Sequence, residues 1–98
     1  MMKKPRIIWS RQALDSVRAI YQFYKEKSPQ SARKLKKALL QSPHTIYFSK
    51  QYQVDDINPA YRRIVVRNYK ILYKIKGDTI QIIDVFDARQ APQKLRNR

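Results

Sequence analysis

The last third of the chain contains three β-rich runs, Tyr61 to Arg67, Tyr69 to Lys76 and Thr79 to Asp87. Only Arg67-Asn68 and Gly77-Asp78 separate these runs, and both dipeptides suit two-residue hairpin turns because Asn and Gly tolerate a positive φ. Strands joined by such short turns pair with their neighbours in sequence. The pattern therefore predicts a three-stranded antiparallel meander, which limits the fold more than any other feature of the sequence.

The first half of the chain has the periodicity of a helical hairpin that follows a short strand. Arg6 to Trp9 is rich in β-formers, and Ser10 is a good N-cap for the helix that follows. From Arg11 to Lys27 the apolar residues recur every three or four positions. A second helix begins at Ser28-Pro29 and ends before Pro43. Residues 43–60 show no clean period and predict an irregular connection, with or without a short strand. We predict an α+β fold in which a short first strand, a helical hairpin and the meander build a small sheet packed on the helices.

Size and composition exclude several classes of site. The chain has 98 residues and is expected to form one domain, residues 1–98, without a second core. It has no cysteine, one glycine and one histidine, so disulfides, thiolate-bound zinc and glycine-rich phosphate loops are excluded. His44 follows a proline in a loop, where a lone histidine is more often inert than a ligand. We therefore expect no metal, no cofactor and no small-molecule substrate.

The apolar stretch Ile7-Ile8-Trp9 near the N-terminus is too short for a signal peptide or a membrane span. A cytoplasmic protein with no membrane partner is the expectation.

Positive charge dominates the sequence. Twenty-two Lys and Arg residues against 7 Asp and Glu give a net charge of +15, which predicts a polyanionic or acidic partner. The second helix carries Arg33, Lys34, Lys36 and Lys37 on its exposed side and no acid. This helical face is either a solvated charged surface or the seat of an acidic partner, and both interpretations stay open.

The predicted register sorts the side chains of the meander onto two faces. Two-residue turns pair Val66 with Tyr69 and Ile75 with Thr79 or Ile80, and successive side chains then alternate between the faces. The face expected under the helices is apolar and consists of Ile64, Val66, Tyr69, Ile71, Tyr73, Ile75, Ile80, Ile82 and Phe86. The opposite, mixed face consists of Tyr61, Arg63, Val65, Arg67, Lys70, Leu72, Lys74, Gln81, Ile83, Val85 and Asp87.

The mixed face is either a groove for an extended anionic chain or a solvent-facing surface with long cationic side chains. Asp84 falls on the apolar face, where we expect it to pair with Arg62 or with a helix cation. Any catalysis must use cations, carboxylates or tyrosines, and metal-free phosphodiester cleavage is permitted without being required.

The segment Tyr61 to Ile75, followed by Ile80 to Phe86 and by Asp87-Ala88-Arg89-Gln90-Ala91-Pro92, resembles the RelE/ParE toxin superfamily, as does Ile8-Trp9-Ser10 with its helix. The resemblance implies a toxin of a type II toxin–antitoxin module, neutralised by a cognate antitoxin whose acidic or amphipathic segment wraps the toxin. RelE-like members cut mRNA in the ribosome, whereas ParE-like members poison DNA gyrase and cleave nothing themselves.

Carried over by position, the resemblance suggests Lys70, Arg63 and Arg89 as catalytic cations, with Asp87 as a base, if the chain is a nuclease. Asp87 stands where many active relatives have histidine, so the best proton-transfer candidate is missing.

Two further departures concern Val65, where a second lysine is absent, and Phe86, which no tyrosine follows. Together with the ending Arg89-Gln90-Ala91-Pro92, they favour the non-enzymatic ParE-like branch.

The residues expected to contact the target or the antitoxin are Arg33, Lys34, Lys37, Arg63, Arg67, Lys70, Lys74 and Arg89. Three functions stay open: inhibition of DNA gyrase, cleavage of mRNA on the ribosome, and a plain basic nucleic-acid-binding module without toxicity.

Overall fold

Two helices pack on one face of a four-stranded sheet in the computed structural model, which describes residues 4–90. The elements, in chain order, are β1 (Arg6–Trp9), α1 (Arg11–Lys25), α2 (Pro29–Gln41), a 3-10 turn (Ser42–Thr45), β2 (Arg62–Val66), β3 (Tyr69–Lys76), β4 (Thr79–Asp87) and a last 3-10 turn (Ala88–Gln90). The sheet order is β1-β4-β3-β2, with β1 parallel to β4 and the other pairs antiparallel. The predicted α+β fold is confirmed. Ala91-Pro92 and the rest of the basic tail lie outside the described residues.

Local sequence signals place the helix ends. The Ser10 hydroxyl accepts the Ala13 N–H at 3.0 Å and donates to the Ile83 carbonyl at 2.8 Å, so it caps α1 and ties it to β4. The Ser28 side chain caps α2 in the same way, with Pro29 in the first turn. The predicted caps are therefore confirmed.

The main core lies between the helices and the sheet. Its fully buried members include Leu39 from α2, Ile46 from the connection, and Ile71, Tyr73 and Ile82 from the sheet. A small second cluster, Leu72 and Phe86 with Tyr61 and Ile83 against it, covers part of the opposite face of the sheet, which we call the outer face. The sheet is thus apolar on one face and partly apolar on the other.

A β-bulge changes the predicted faces near the end of β4. Leu72 pairs with Asp84 and Tyr73 pairs with Ile82, so Ile83 is an extra residue that has no partner in β3. Three side chains beyond it are inverted relative to the prediction. Val85 belongs to the core under the helices, Phe86 packs on the outer face, and Asp87 lies opposite the core residue Tyr69. The prediction of a simple alternation was wrong there, because one inserted residue reverses the side-chain phase.

Asp84 lies on the helix side of the sheet, where the predicted alternation placed it, and its carboxylate is buried. This carboxylate accepts hydrogen bonds from Ser16 Oγ at 2.7 Å and Gln12 Nε2 at 3.2 Å, both on α1. Neither Arg62 nor a helix cation supplies these contacts, and Arg62 donates instead to the Tyr52 carbonyl at 2.6 Å. The donors observed at Asp84 from α1 are thus neutral, where the sequence analysis expected a cation.

The two hairpin turns have the predicted length. Val66 pairs with Tyr69, and Ile75 pairs with Ile80. Gly77 has a φ of 62°, as expected, but in the first turn the positive φ of 55° belongs to Arg67 and not to Asn68. An L side chain therefore occupies a backbone conformation that glycine adopts without penalty.

Candidate functional site

The two candidate cations on the outer face, Lys70 and Arg63, meet a buried carboxylate. The side chain of Asp55 is fully buried, and its Oδ1 lies 3.0 Å from Lys70 Nζ and 3.8 Å from Arg63 Nη1. Lys70 keeps only 12% of its side-chain surface exposed and Arg63 keeps 21%. The structure therefore brings these two predicted residues together, around an acid that sequence analysis did not single out.

Asp55 also organises the connection that precedes β2. Its Oδ2 accepts the backbone N–H groups of Ile57 at 3.2 Å and Asn58 at 2.9 Å, and its own N–H donates to the Tyr61 carbonyl at 2.8 Å. This is the local turn geometry that aspartate favours. The carboxylate thus holds its own loop and, through Lys70, fastens that loop to β3.

Arg63 fastens the same loop a second time. Its guanidinium donates to the Val54 carbonyl at 2.8 Å and to Gln53 Oε1 at 3.3 Å, and its backbone N–H donates to the Gln53 carbonyl at 3.0 Å. Three of its donors are therefore used inside the protein.

Asp56 completes this cluster at the surface. Its carboxylate lies 3.5 Å from Lys70 and 3.8 Å from Arg63, with 75% of the side chain exposed. A backbone hydrogen bond and the charge of Lys70 lower the pKa of Asp56. Two carboxylates thus compensate two cations, which leaves no net positive charge in what we call the Asp55 cluster (Asp55, Asp56, Arg63 and Lys70).

Asp87 and Arg89 form a separate pair. Arg89 donates to Asp87 from Nη2 at 2.7 Å, from Nε at 3.1 Å and from its backbone N–H at 2.9 Å. This fork geometry is the strong form of a charge-assisted hydrogen bond, and it raises the pKa of Arg89. The carboxylate of Asp87 is thus occupied by three donors of Arg89.

Two tyrosines lie beside this pair and were missed as candidates. Tyr69 donates to Tyr24 across a hydroxyl–hydroxyl distance of 3.3 Å, and both line a cavity of about 380 Å³ together with Phe23, Asp87 and Arg89. Burial, and then the hydrogen bond to Tyr24, raises the pKa of Tyr69 well above its usual value. The sequence placed both tyrosines on apolar faces, so the pattern indicated core packing and carried no signal for their contact.

The four candidate nuclease residues do not form one cluster. Tyr69 packs in the core under the helices and lies near Asp87 and Arg89, whereas Lys70, the next residue of β3, faces the outer side and contacts Asp55. Consecutive strand residues point to opposite faces of a sheet. Lys70 with Arg63 and Asp87 with Arg89 are therefore two separate groups.

The exposed side of the helical hairpin forms a groove with apolar walls and a cationic rim. Leu14 and Tyr21 of α1 and Leu40 of α2 line its floor. The cations around it are Arg18, Arg33, Lys36 and Lys37, and Lys34 is exposed on the same helix. We call this surface the hairpin groove.

Two details describe the charge of the hairpin groove. Lys36 Nζ lies 4.9 Å from the centre of the Tyr21 ring, so this aromatic already supports a cation. The acid beside the groove is Asp15, which is exposed and 3.8 Å from Arg18.

Arg67 and Lys74, the remaining candidates, are exposed on the hairpins of the sheet.

Within residues 4–90, no group of three or more potential ligands is arranged to hold a metal ion. In the same part of the chain, no helix is both long enough and apolar enough to cross a bilayer.

One solved structure supports the class of fold. The structure of the chromosomal ParDE toxin–antitoxin system from P. aeruginosa superposes with a TM-score of 0.74 at 19% identity, over 85% of this chain and 95% of that chain. The YoeB-YefM complex from Staphylococcus aureus matches with a TM-score of 0.39 at 15% identity, with coverage of 85% of this chain and 95% of that one. No curated protein sequence matches the chain.

The family follows from the sequence itself. The model of the ParE toxin of type II toxin–antitoxin systems, parDE, matches residues 7–92. The chain therefore belongs to the ParE toxin family, within the RelE/ParE superfamily.

Proposed function

We propose that this toxin acts on DNA gyrase and is neutralised by a cognate antitoxin that docks in the hairpin groove. The observation that carries the first part is the Asp55 cluster, in which Lys70 and Arg63 are already bound to carboxylates and backbone carbonyls. Family membership supports the antitoxin.

A phosphodiester cleavage on this chain would require cations that meet a phosphate. Lys70 would have to leave a fully buried carboxylate, and breaking a buried pair costs about 3–5 kcal/mol. Arg89 stands in the other group, bound to Asp87 by three hydrogen bonds. The arrangement therefore supports inhibition of a target enzyme through binding better than it supports catalysis.

The hairpin groove supports the second part of the proposal. An amphipathic acidic segment would place its apolar side chains on Leu14, Tyr21 and Leu40 and its carboxylates against the cationic rim. Of the two interpretations that the sequence left open for the face of α2, the apolar floor favours the seat of a partner, because a purely solvated face needs no such floor.

Gyrase supercoiling and cleavage assays with the purified toxin test the proposed target. We expect loss of supercoiling and accumulation of the gyrase–DNA cleavage complex, and both should disappear when the antitoxin is added first. Topoisomerase I serves as the control enzyme that the toxin should leave unchanged. Unaffected gyrase would remove the proposal.

Mapping of mRNA ends after induction of the toxin distinguishes the rival activity. New ends linked to codons on translated messages would identify a ribosome-dependent endoribonuclease and overturn the assignment of gyrase. We expect the pattern of ends to match that of uninduced cells.

A further inference from the structure

Two adjacent aromatic side chains extend into solvent from the connection between α2 and β2. Tyr47 is 60% exposed and Phe48 is 51% exposed, although the residue before them, Ile46, is fully buried in the core. Single exposed apolar residues are ordinary on protein surfaces, whereas neighbouring aromatic rings on one loop form a patch.

Hydrogen bonds hold the loop that carries these rings. The Tyr47 N–H donates to Gln51 Oε1 at 2.8 Å, and Gln51 Nε2 donates to the Thr45 carbonyl at 3.0 Å. The hydroxyls of Thr45 and Tyr52 are 2.8 Å apart, and the Gln51 N–H donates to the Phe48 carbonyl at 3.1 Å. The rings are therefore presented in a defined arrangement, which lowers the entropy that a ligand must overcome on binding.

An open cavity of about 250 Å³ lies beside the rings. Its walls include Pro5, Tyr47, Phe48 and the turn residues Gly77 and Asp78. Gly77 has no atom within 4 Å of the place where a Cβ would stand, so this wall leaves room for a flat ring.

One cation contacts this patch, and two more are close to it in sequence. Lys4 Nζ lies 4.8 Å from the centre of the Tyr47 ring and donates to the His44 carbonyl at 2.7 Å. Arg6 and Lys50 are exposed nearby in the chain, and Asp78 is the carboxylate of the cavity wall. A polyanion with aromatic groups fits this combination. Its phosphates would lie at the lysines, and its uncharged rings would face the cavity, so that the carboxylate of Asp78 does not repel the phosphates.

We propose that Tyr47 and Phe48 form a stacking site for the bases of single-stranded nucleic acid, with Lys4 and Lys50 on the phosphates. A single strand is the occupant, because a duplex hides the faces of its bases from side chains. The site goes beyond the proposed action on gyrase and does not rest on it, because the two activities are measured by different assays on different surfaces.

Fluorescence anisotropy with a short labelled oligothymidylate and the full chain tests the stacking site. For Tyr47→Ala/Phe48→Ala we expect affinity to fall about fivefold or more for each ring removed. The slope of log affinity against log salt should stay unchanged, because the phosphate contacts remain. For Lys4→Ala/Lys50→Ala we expect a smaller slope instead.

Phe23→Ala is the matched control, because Phe23 is equally exposed on α1 and also has a lysine, Lys27, 4.4 Å from its ring centre. It should bind the oligonucleotide as the wild type does. Tyr47→Leu/Phe48→Leu keeps the apolar bulk and removes the aromatic faces, so it should lose affinity even if the alanine variant folds poorly.

Two results would overturn the site. The first is unchanged affinity of the two double variants that remove the rings of Tyr47 and Phe48, which would leave binding to phosphate alone. The second is an equal loss for Phe23→Ala or on duplex DNA.

Discussion

Asp55 is the residue on which the outer face of the sheet depends. One carboxylate accepts two backbone N–H groups of its own loop and meets the ammonium of Lys70 from β3. Buried ion pairs add little net stability compared with apolar packing, but removal of one partner leaves an uncompensated charge. The Asp55 cluster is therefore best tested by changing the acid.

We predict that Asp55→Asn lowers the free energy of unfolding by about 3 kcal/mol, because Lys70 loses a buried counter-charge. Urea denaturation of the purified toxin measures this. Asp56→Asn is the matched control, since its side chain is 75% exposed, and it should unfold at the same denaturant concentration as the wild type. Equal behaviour of the two variants would contradict the role assigned to Asp55.

Tyr69 makes the free energy of unfolding depend on pH in the alkaline range. Burial raises the pKa of its hydroxyl in the folded state above the usual value of 10.0. A group whose pKa is raised by folding contributes stability that is complete below the unfolded pKa and is lost as pH rises toward the folded pKa. Ionisation of Tyr69 therefore works against folding above about pH 10.

We predict that the melting temperature of the wild type falls more steeply above pH 10 than that of Tyr69→Phe, which has no hydroxyl to ionise at this position. Tyr47→Phe is the control, because Tyr47 is 60% exposed, and its profile should parallel the wild type. Thermal unfolding followed by circular dichroism across this pH range measures both. Parallel profiles for all three proteins would rule out this contribution of Tyr69.

At the scale of elements, each of the two hairpin turns has a residue with a positive φ, and the residue type differs between the turns. Gly77 has a φ of 62° and Arg67 a φ of 55°. Glycine adopts this region freely, whereas an L side chain there costs about 1–2 kcal/mol. The β2–β3 turn therefore carries a strain that the β3–β4 turn avoids.

We predict opposite effects of two exchanges at these turns. Gly77→Ala should destabilise the protein by about 1 kcal/mol through the backbone alone, since no atom lies within 4 Å of the new Cβ. Arg67→Gly should stabilise it by about 0.5 kcal/mol, after the greater entropy of glycine in the unfolded chain is subtracted. Calorimetric melting temperatures provide the comparison. Changes of the same sign in both variants would show that the turn conformation does not control stability.

The bulge in β4 is the second element that matters for function. Because Ile83 has no partner in β3, Asp87 lies on the side of Tyr69. Without the extra residue, Asp87 would share the outer face with Lys70. One inserted residue thus separates the two groups that a nuclease would need in one place.

At the scale of the whole molecule, carboxylates compensate the positive charge on one surface and not on the other. The Asp55 cluster has as many carboxylates as cations, whereas the hairpin groove has four cations around an apolar floor. Exposed charges act mainly on the rate of association and on specificity. The groove is therefore the surface where acidic partners should be most sensitive to charge.

We predict that Arg33→Glu/Lys37→Glu weakens binding of the cognate antitoxin by about tenfold or more at low salt, mainly through slower association. Lys27→Glu/Lys76→Glu changes the net charge by the same amount away from the groove floor and should retain near wild-type affinity. Surface plasmon resonance at two salt concentrations separates the rates. Equal losses for the two variants would show that only the total charge of the toxin matters.

Several parts of this protein could be predicted from sequence because their signals are local. The cap at Ser10, the start of α2 at Ser28-Pro29 and the two-residue turns each depend on residues that are neighbours along the chain. The pairing Val66–Tyr69 followed from turn length, and the faces of the meander were correct up to the bulge. The candidate cations Lys70 and Arg63 were found by residue type and position, without their acid.

The order of elements, the amphipathic faces and the excess of positive charge were determined by the sequence alone, through periodicity, capping and composition. Only the tertiary structure decided that Lys70 meets Asp55, that Asp84 meets Ser16 and that the local pair Asp87–Arg89 lies beside Tyr24 of α1. Such pairings arise when distant segments close on one core, and a single inserted residue changes which side chains meet. The long-range packing therefore determines which charges stay free for a partner.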